Sequence, residues 1–597
     1  MAIDYHQRSE EEYRYRASVM IQNFEGYRAQ PYDAEDERAT IGFGYTFNRD
    51  NNLELWELAG VQLSQGERQH LIAIDRAPSE QKTALGLAFD VRITREEARS
   101  LLENASFSTY ERPAMNLGMP FSDERAVVVS LTYNRGDGRM ATHMQGFNYA
   151  IADGDRAEAW YQIRYNSKGT NDSPGAQLGL RARRNMESEI FGLYNDPLNV
   201  STDEARSVYR MFQLHRDDIL KNERDWGVDL DGTPARRNAI VQANNNYPDL
   251  VREYGPVQTL SAALEPARSR LLADLRHENP DLADRLQNED FATTAIYLDS
   301  GRGLRSGNAL RQDQRNNTVQ DIDQNHAATL DSRRARGNVE IASNDLLIGD
   351  GGNDTLRAHR GDDILIGGQG RDRMEGGEGR DTYVVDAGDT VRDSDGVGEV
   401  RWGGHALTGG ARAESDPAGT YRSEDGRFGY ALQGDTLTVT DTLAQDQARR
   451  EPMVIEHFRS GQLGITLTGP EGRGAHELAG RQRPDDPNPS QASLEDRRSG
   501  VITPPVSVAA PEIARDRDHR HQALGRFDDA YVDRAYAALL AGDSKELDRV
   551  AVEFSRSLEG QRMAEIGDQL LAQQQSLERQ LSQEPQAQTR QDSAVRM

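Results

Sequence analysis

Apolar residues recur at helical spacing near the start of the chain. Between residues 9 and 24, Tyr13, Ala17, Met20 or Ile21, and Phe24 share one face, and Gly26 supplies a stop. The pattern predicts a helix with Glu25 on its last turn. The next stretch alternates and carries glycines, as a small hairpin does. Helical periodicity returns in Thr94–Glu103, Asp123–Asn134, Arg156–Tyr165 and Leu180–Tyr194. Residues 1–196 therefore read as one mostly helical domain with a small sheet. Residues 197–338 are polar and helix-prone, broken by Pro and Asn, and show no chemistry of their own.

The period changes after residue 339. Cut into nines, the chain reads EIASNDLLI, GDGGNDTLR, AHRGDDILI, GGQGRDRME, GGEGRDTYV. Asp345, Asp354, Asp363, Asp372 and Asp381 recur at intervals of nine, and Leu347, Leu356, Leu365, Met374 and Tyr383 follow at the eighth position of each unit, able to pack inward. From the second unit on, the fourth position is glycine: Gly352, Gly361, Gly370 and Gly379. A strand-rich segment runs from Asp386 to about Leu467, so 339–470 form one β region. Residues 471–515 are a Pro-rich linker. Residues 516–597 are helical and end glutamine-rich, with Asp543 and Glu546 as a capping box and Leu547, Val550, Phe554 and Leu558 on one face. The fold class expected is multidomain α+β.

Composition narrows the partners. The 597 residues carry a formal net charge of −27, which argues against nucleic acid, whose phosphates need Lys and Arg patches. It suits cations such as calcium. There is no cysteine, which excludes disulfides, thiolate catalysis and cysteine-held zinc. The first twenty residues lack the basic and apolar regions of a signal peptide, and no apolar run reaches the ~18–20 residues of a membrane span. Export, if it occurs, is expected by another route. In VDLDGT (Val228–Thr233), Gly227 and Asn238 stand where a calcium loop needs its two key carboxylates, so this segment reads as an ordinary turn.

The nine-residue period is a mechanical statement. Glycines allow tight turns, the strand that follows supplies one inward residue, and each Asp faces its neighbours on adjacent coils. Stacked acidic turns repel unless a hard cation with oxygen ligands sits between them. The repeats resemble the RTX, haemolysin-type parallel β-roll. That resemblance implies coils of two nonapeptides, with calcium bridging Asp345 to Asp363, Asp354 to Asp372, and Asp363 to Asp381, helped by loop carbonyls. The glycine pair is lost at Ala358-His359 and at Glu340-Ile341, which implies two or three sites.

Five carboxylates crowd the thirteen residues from Glu25 to Glu37: Glu25, Asp33, Glu35, Asp36 and Glu37. Glu25-Gly26, Tyr32 and Thr40-Ile41-Gly42-x-Gly44 resemble the phage-type lysozymes, glycoside hydrolase family 24. RAVVVSLTYNRGDG (Arg125–Gly138) resembles that family's central helix, and GLRARRNMESEIF (Gly179–Phe191) its final Arg-Arg-x-x-Glu helix. The resemblance covers about residues 15–195. It implies a lysozyme-like domain with Glu25 as general acid and Thr40 positioning a water. Cleavage of a glycoside needs a protonated carboxyl at the leaving oxygen and a second group that activates water or stabilises the developing charge. Helix-end packing or a nearby Arg would tune Glu25. The family aspartate falls at Ala34. Strand parity favours Asp36 over Asp33 as its replacement; a third reading leaves Glu25 and a water held by Thr40 to act without it. Asp33, Glu35 and Glu37 also read as solvated hairpin charges.

Together these segments resemble antibacterial effectors delivered by type IV secretion. That resemblance implies a peptidoglycan substrate, cleavage of the β-1,4 bond between N-acetylmuramic acid and N-acetylglucosamine in the periplasm of target bacteria, and a periplasmic immunity protein. It also implies a coupling protein that reads the C-terminal region, with its glutamines from Gln573 through Gln591. The competing expectations are a calcium-dependent wall-binding or adhesive protein without catalysis, and export by a type I system.

Overall fold

The computed structural model describes residues 3–33, 38–167, 173–287, 290–301, 325–336, 339–445, 450–469, 534 and 549–550. The chain divides into two compact units, Met1–Asp485 and Asp486–Met597. In the second, residue Val550 is helical and buried. The Pro-rich linker, the Asp543–Glu546 capping box with Leu547, Phe554 and Leu558, and the glutamine-rich tail lie outside the described residues.

In the first unit, the opening helix runs Glu10–Glu25. Ser9 caps it by accepting from the Glu12 amide, Glu10, Glu11 and Glu12 complement the positive end of its dipole, and Gly26 ends it at φ 66°. Tyr13, Ala17, Met20 and Ile21 are buried, on the face that the spacing predicts. A three-stranded antiparallel sheet follows: Arg28–Asp33, Ala39–Gly42 and Tyr45–Thr46. Its second strand is buried throughout because Ala39 and Ile41 enter the core with Phe43, Phe47 and Trp56.

The central helix, Asp123–Arg135, is buried from Asp123 to Thr132. The closing helix, Pro174–Phe191, buries Ala182–Ser188. The helical patterns at 94–103 and 156–165 are helices that finish in π turns, Leu102–Ser106 and Gln162–Asn166. Val228–Thr233 is a turn closed by the Asp229 amide on the Thr233 carbonyl, at 2.9 Å.

Residues 202–278 form five helices: Thr202–Leu214, Arg216–Trp226, Ala239–Asn246, Pro248–Tyr254 and Leu260–Glu278. They share one apolar core with the elements before them; Val127, Phe191, Tyr209, Leu271, Ile296, Leu346 and Ile364 belong to a single cluster.

The repeats wind into a parallel roll. One sheet stacks Ile296–Leu298, Leu346–Ile348, Ile364–Ile366, Asp381–Val385 and Gly398–Trp402; the other stacks Thr329–Asp331, Thr355–Arg360, Arg373–Glu378, Thr390–Arg392 and Met453–Glu456. Leu347 pairs with Leu365 and Leu365 with Tyr383, so each coil spans 18 residues, two nonapeptides. Leu347, Leu356, Leu365, Met374 and Tyr383 are all at 0% exposure in the core between the sheets. The first strand of each sheet, at 296–298 and 329–331, precedes the first Asp repeat. The segment after the repeats extends the second sheet as an antiparallel meander through Thr436–Asp441, Phe428–Gln433 and Thr420–Arg422. No described helix is long and apolar enough to cross a membrane.

Candidate functional site

The first helix delivers Glu25 at its C-terminal end with 23% of its side chain exposed, enough to meet a substrate. Arg183, from the closing helix, donates to Glu25 Oε1 at 2.7 Å. The same guanidinium donates to Glu187 Oε1 at 3.0 Å and to the Ser130 carbonyl at 3.0 Å, and it lies 4.7 Å from the centroid of the Phe24 ring. Burial opposes the charge on Arg183, but Glu25 and Glu187 hold it protonated. Glu187 is likewise kept ionised against its own burial by Arg184 and Arg183.

Tyr133 of the central helix lies by both the hairpin and the Glu25 charge. The Tyr133 hydroxyl donates to the Phe43 carbonyl at 2.9 Å. Burial first, and then the Glu25 charge, push that hydroxyl's pKa well up, so it stays a donor. Gly44 makes room: its φ is 99°, and a Cβ there would sit 3.0 Å from the Tyr133 oxygen.

Thr40 lies on the middle strand at 4% exposure and donates to the Arg38 carbonyl at 3.1 Å. It pairs with Tyr32, whereas Asp33 pairs with Ala39. Asp33 therefore faces the opposite side of the sheet from Thr40, and it is exposed. Asp36, with Ala34, Glu35 and Glu37, lies outside the described residues.

In the roll, the five expected aspartates fall into two rows. Asp345, Asp363 and Asp381 line one row of turns; Asp354 and Asp372 line the other. Each coil hands its amide to the carboxylate of the next: Asp345 N–H to Asp363 at 2.7 Å, Asp354 N–H to Asp372 at 2.8 Å, and Asp363 N–H to Asp381 at 3.0 Å. The second row continues to Asp389, which accepts from the Asp372 amide at 2.9 Å. The nine-residue ruler passes over Asp389 because it follows Asp381 by eight. The sequence Asp-Thr-Val, an acid before a strand with an inward Val391, was the available signal.

These carboxylates fit calcium. One oxygen each of Asp345, Asp354, Asp363, Asp372 and Asp381, and one of Asp386, is buried with no hydrogen-bond partner among the described residues. Burial, with neighbouring carboxylates adding to it, pushes Asp354 and Asp381 up to about 7, Asp389 to about 8 and Asp363 to about 9. A cation between coils removes that penalty. Among the described residues no three acidic or histidine side chains are arranged to hold a metal ion by themselves. Side-chain oxygens would thus supply part of the shell and turn carbonyls the rest. Asp345 differs from the others: Arg334 Nη2 lies 3.5 Å from its open oxygen.

A helix-borne glutamate held by an arginine, a small sheet next in the chain and a calcium-ready roll fit a lysozyme-type glycosidase with a calcium-binding repeat module. Residues 22–187 match the phage lysozyme family, and residues 348–383 and 358–391 match the RTX calcium-binding nonapeptide repeat in four copies.

Among solved structures, the chain is similar to the muramidase domain of SpmX from Asticaccaulis excentricus, at 20% identity over 31% of this chain and 97% of that one, with a TM-score of 0.21. It is similar to the endolysin from Escherichia coli O157:H7 phage FAHEc1, at 20% identity over 32% of this chain and 94% of that one, with a TM-score of 0.20. It is also similar to the AlgE6R3 subunit of the Azotobacter vinelandii mannuronan C5-epimerase, at 17% identity over 31% of this chain and 93% of that one, with a TM-score of 0.16. No curated protein matches the chain.

Proposed function

We propose that this chain is a secreted antibacterial muramidase that cleaves the β-1,4 bond between N-acetylmuramic acid and N-acetylglucosamine in the periplasm of target bacteria. The observation that supports the reading is Glu25, partly exposed at the end of the first helix and fixed there by Arg183. In this reading Glu25 protonates the leaving oxygen, Asp36 supplies the second carboxylate, and Thr40 positions the attacking water. Calcium, held by Asp345, Asp354, Asp363, Asp372 and Asp381, would neutralise the stacked acids and order the roll outside the calcium-poor cytosol. Residues 516–597 would present the chain to a type IV coupling protein, with type I export the rival route. A periplasmic immunity protein would plug the cleft.

A zymogram on peptidoglycan tests the enzyme. Glu25→Gln should lose activity on the order of 10²–10⁴-fold; retention of more than about a tenth would remove Glu25 from the role. Asp33→Asn and Asp36→Asn, assayed beside it, assign the second acid by whichever loses activity. Expression in a susceptible bacterium tests the target: lysis only when the chain is directed to the periplasm, and only with Glu25 intact, is the expected result. Co-culture of producer and target cells, with and without residues 516–597, tests the export region.

Ala34 at the family aspartate's position favours one other reading, a calcium-dependent wall binder without catalysis. It predicts pelleting with peptidoglycan and no release of reducing sugar.

A further inference from the structure

The wall behind the acid is completed from outside the matched lysozyme region. Phe24, beside Glu25, meets two groups. The Arg183 guanidinium lies 4.7 Å from the centroid of its ring, and Tyr247 meets that ring edge to face at 4.7 Å and 89°. Tyr247 stands 60 residues beyond residue 187, where the family match ends. It is 8% exposed and joins two helices, Ala239–Asn246 and Pro248–Tyr254.

Both helices are tied to the carriers of the acid. The first packs along the closing helix that bears Arg183. The second rests on the opening helix that bears Glu25: Arg16 Nη1 reaches Glu253 at 3.0 Å and the Tyr254 hydroxyl at 3.2 Å. Tyr247 is therefore pinned where the two helices converge.

We propose that Tyr247 is a positioning residue for the catalytic acid. Its ring backs Phe24, Phe24 carries the Arg183 guanidinium, and Arg183 holds Glu25. The inference rests on the muramidase reading for the role of Glu25. The two rings meet nearly at right angles, an aromatic pair with preferred geometry. Without it Phe24 is free to turn, the guanidinium loses its platform, and the carboxyl is no longer held at one place. Displacement of a reacting group by about an ångström costs on the order of 10²-fold in rate.

The test uses the full chain with calcium and soluble peptidoglycan fragments, comparing Tyr247→Ala and Tyr247→Phe with wild type. Tyr247→Ala should lose kcat by roughly tenfold or more with KM changed by about twofold or less, and Tyr247→Phe should restore kcat. The Arg183 Nε proton resonance, followed in 15N-arginine-labelled protein, should be protected in wild type and Tyr247→Phe and lost to exchange in Tyr247→Ala. If Tyr247→Ala does not fold, Tyr247→Leu fills the volume without an aromatic ring and should show the same loss.

Wild-type kcat in the folded Ala or Leu variant overturns the proposal. So does a Phe variant as slow as Ala, because the ring would then not be the working part. If wild type itself releases no sugar, the muramidase reading fails instead, and the arginine resonance still reports whether Tyr247 holds the pair.

Discussion

Arg183 serves three acceptors from one enclosed guanidinium: Glu25, Glu187 and Ser130. Among the described residues its removal leaves the buried Glu187 with Arg184 as its ion-pair partner and takes the ion pair from Glu25. Arg183→Ala should lower stability by about 3–5 kcal/mol, read by urea unfolding, and depress hydrolysis as well. Lysine keeps the charge but not the fork, so Arg183→Lys should recover stability only in part.

A second residue-scale prediction concerns pH. Burial alone would raise Glu124, but the bonds from His6 and from Arg156, at 2.8 Å each, override it and bring its pKa from 4.5 to about 2. A carboxylate depressed in the folded state stabilises above its unfolded value and loses that contribution as pH falls through its folded value. Stability should therefore drop between pH of about 4.5 and 2, by about 3 kcal/mol from this group. Glu124→Gln should flatten that part of the curve, as measured by melting temperature against pH. His6 is raised by the same contact, so its smaller share is lost in the other direction, as pH rises.

Among the elements, the turns of the roll are the most demanding. A Cβ on Gly367 would lie 2.6 Å from Asp372 Oδ2 and 3.2 Å from Asp389 Oδ2, in the space between two carboxylates of one row. Gly367→Ala should remove one calcium from the stoichiometry measured by titration calorimetry and leave the opposite row intact. Asp389→Asn should do the same, because it strips a charged oxygen from that position. Unchanged stoichiometry in both would place the metal elsewhere. At the first coil, Ala295 and Ala328 precede the strands at the positions that Asp345 and Asp354 occupy in the next coil. Neither of those two positions carries a carboxylate, and Arg334 stands against Asp345.

For the first unit taken whole, the helical region and the roll are continuous. Arg206 and Arg210 of the helix Thr202–Leu214 both engage Asp350 of the first glycine-rich turn, and Arg216 donates to the Thr294 and Ile296 carbonyls. Ile296, Leu346, Ile348 and Ile364 complete the same core as the lysozyme helices. Calcium that binds only the folded roll should then stabilise the helical region too, by about 2.7 kcal/mol per site at a hundredfold excess over Kd. Scanning calorimetry should show one transition of the first unit that moves up with calcium and down with chelator. A helical transition indifferent to calcium would show that the shared core does not couple them.

Local pattern carried much of this protein. The face of the opening helix, its stop at Gly26, the hairpin, the inward residues of the repeats and the five aspartates all follow from spacing, because each depends on neighbours within one turn or one coil. Long-range partners had no such signal. Nothing near Glu25 in the chain points to Arg183, 158 residues away, or to Tyr247 beyond it, since only the packing of helices brings them together. Asp389 escaped for a related reason: an eight-residue step breaks the ruler, yet the coil still delivers its carboxylate to the same row. The described part of residues 197–338 makes packing contacts, which leave no chemical motif in the sequence. Its helix-prone character was legible and 202–278 are helices, but the strands at 296–298 and 329–331 that open the roll, and the surfaces covered behind Glu25, were decided only in the folded chain.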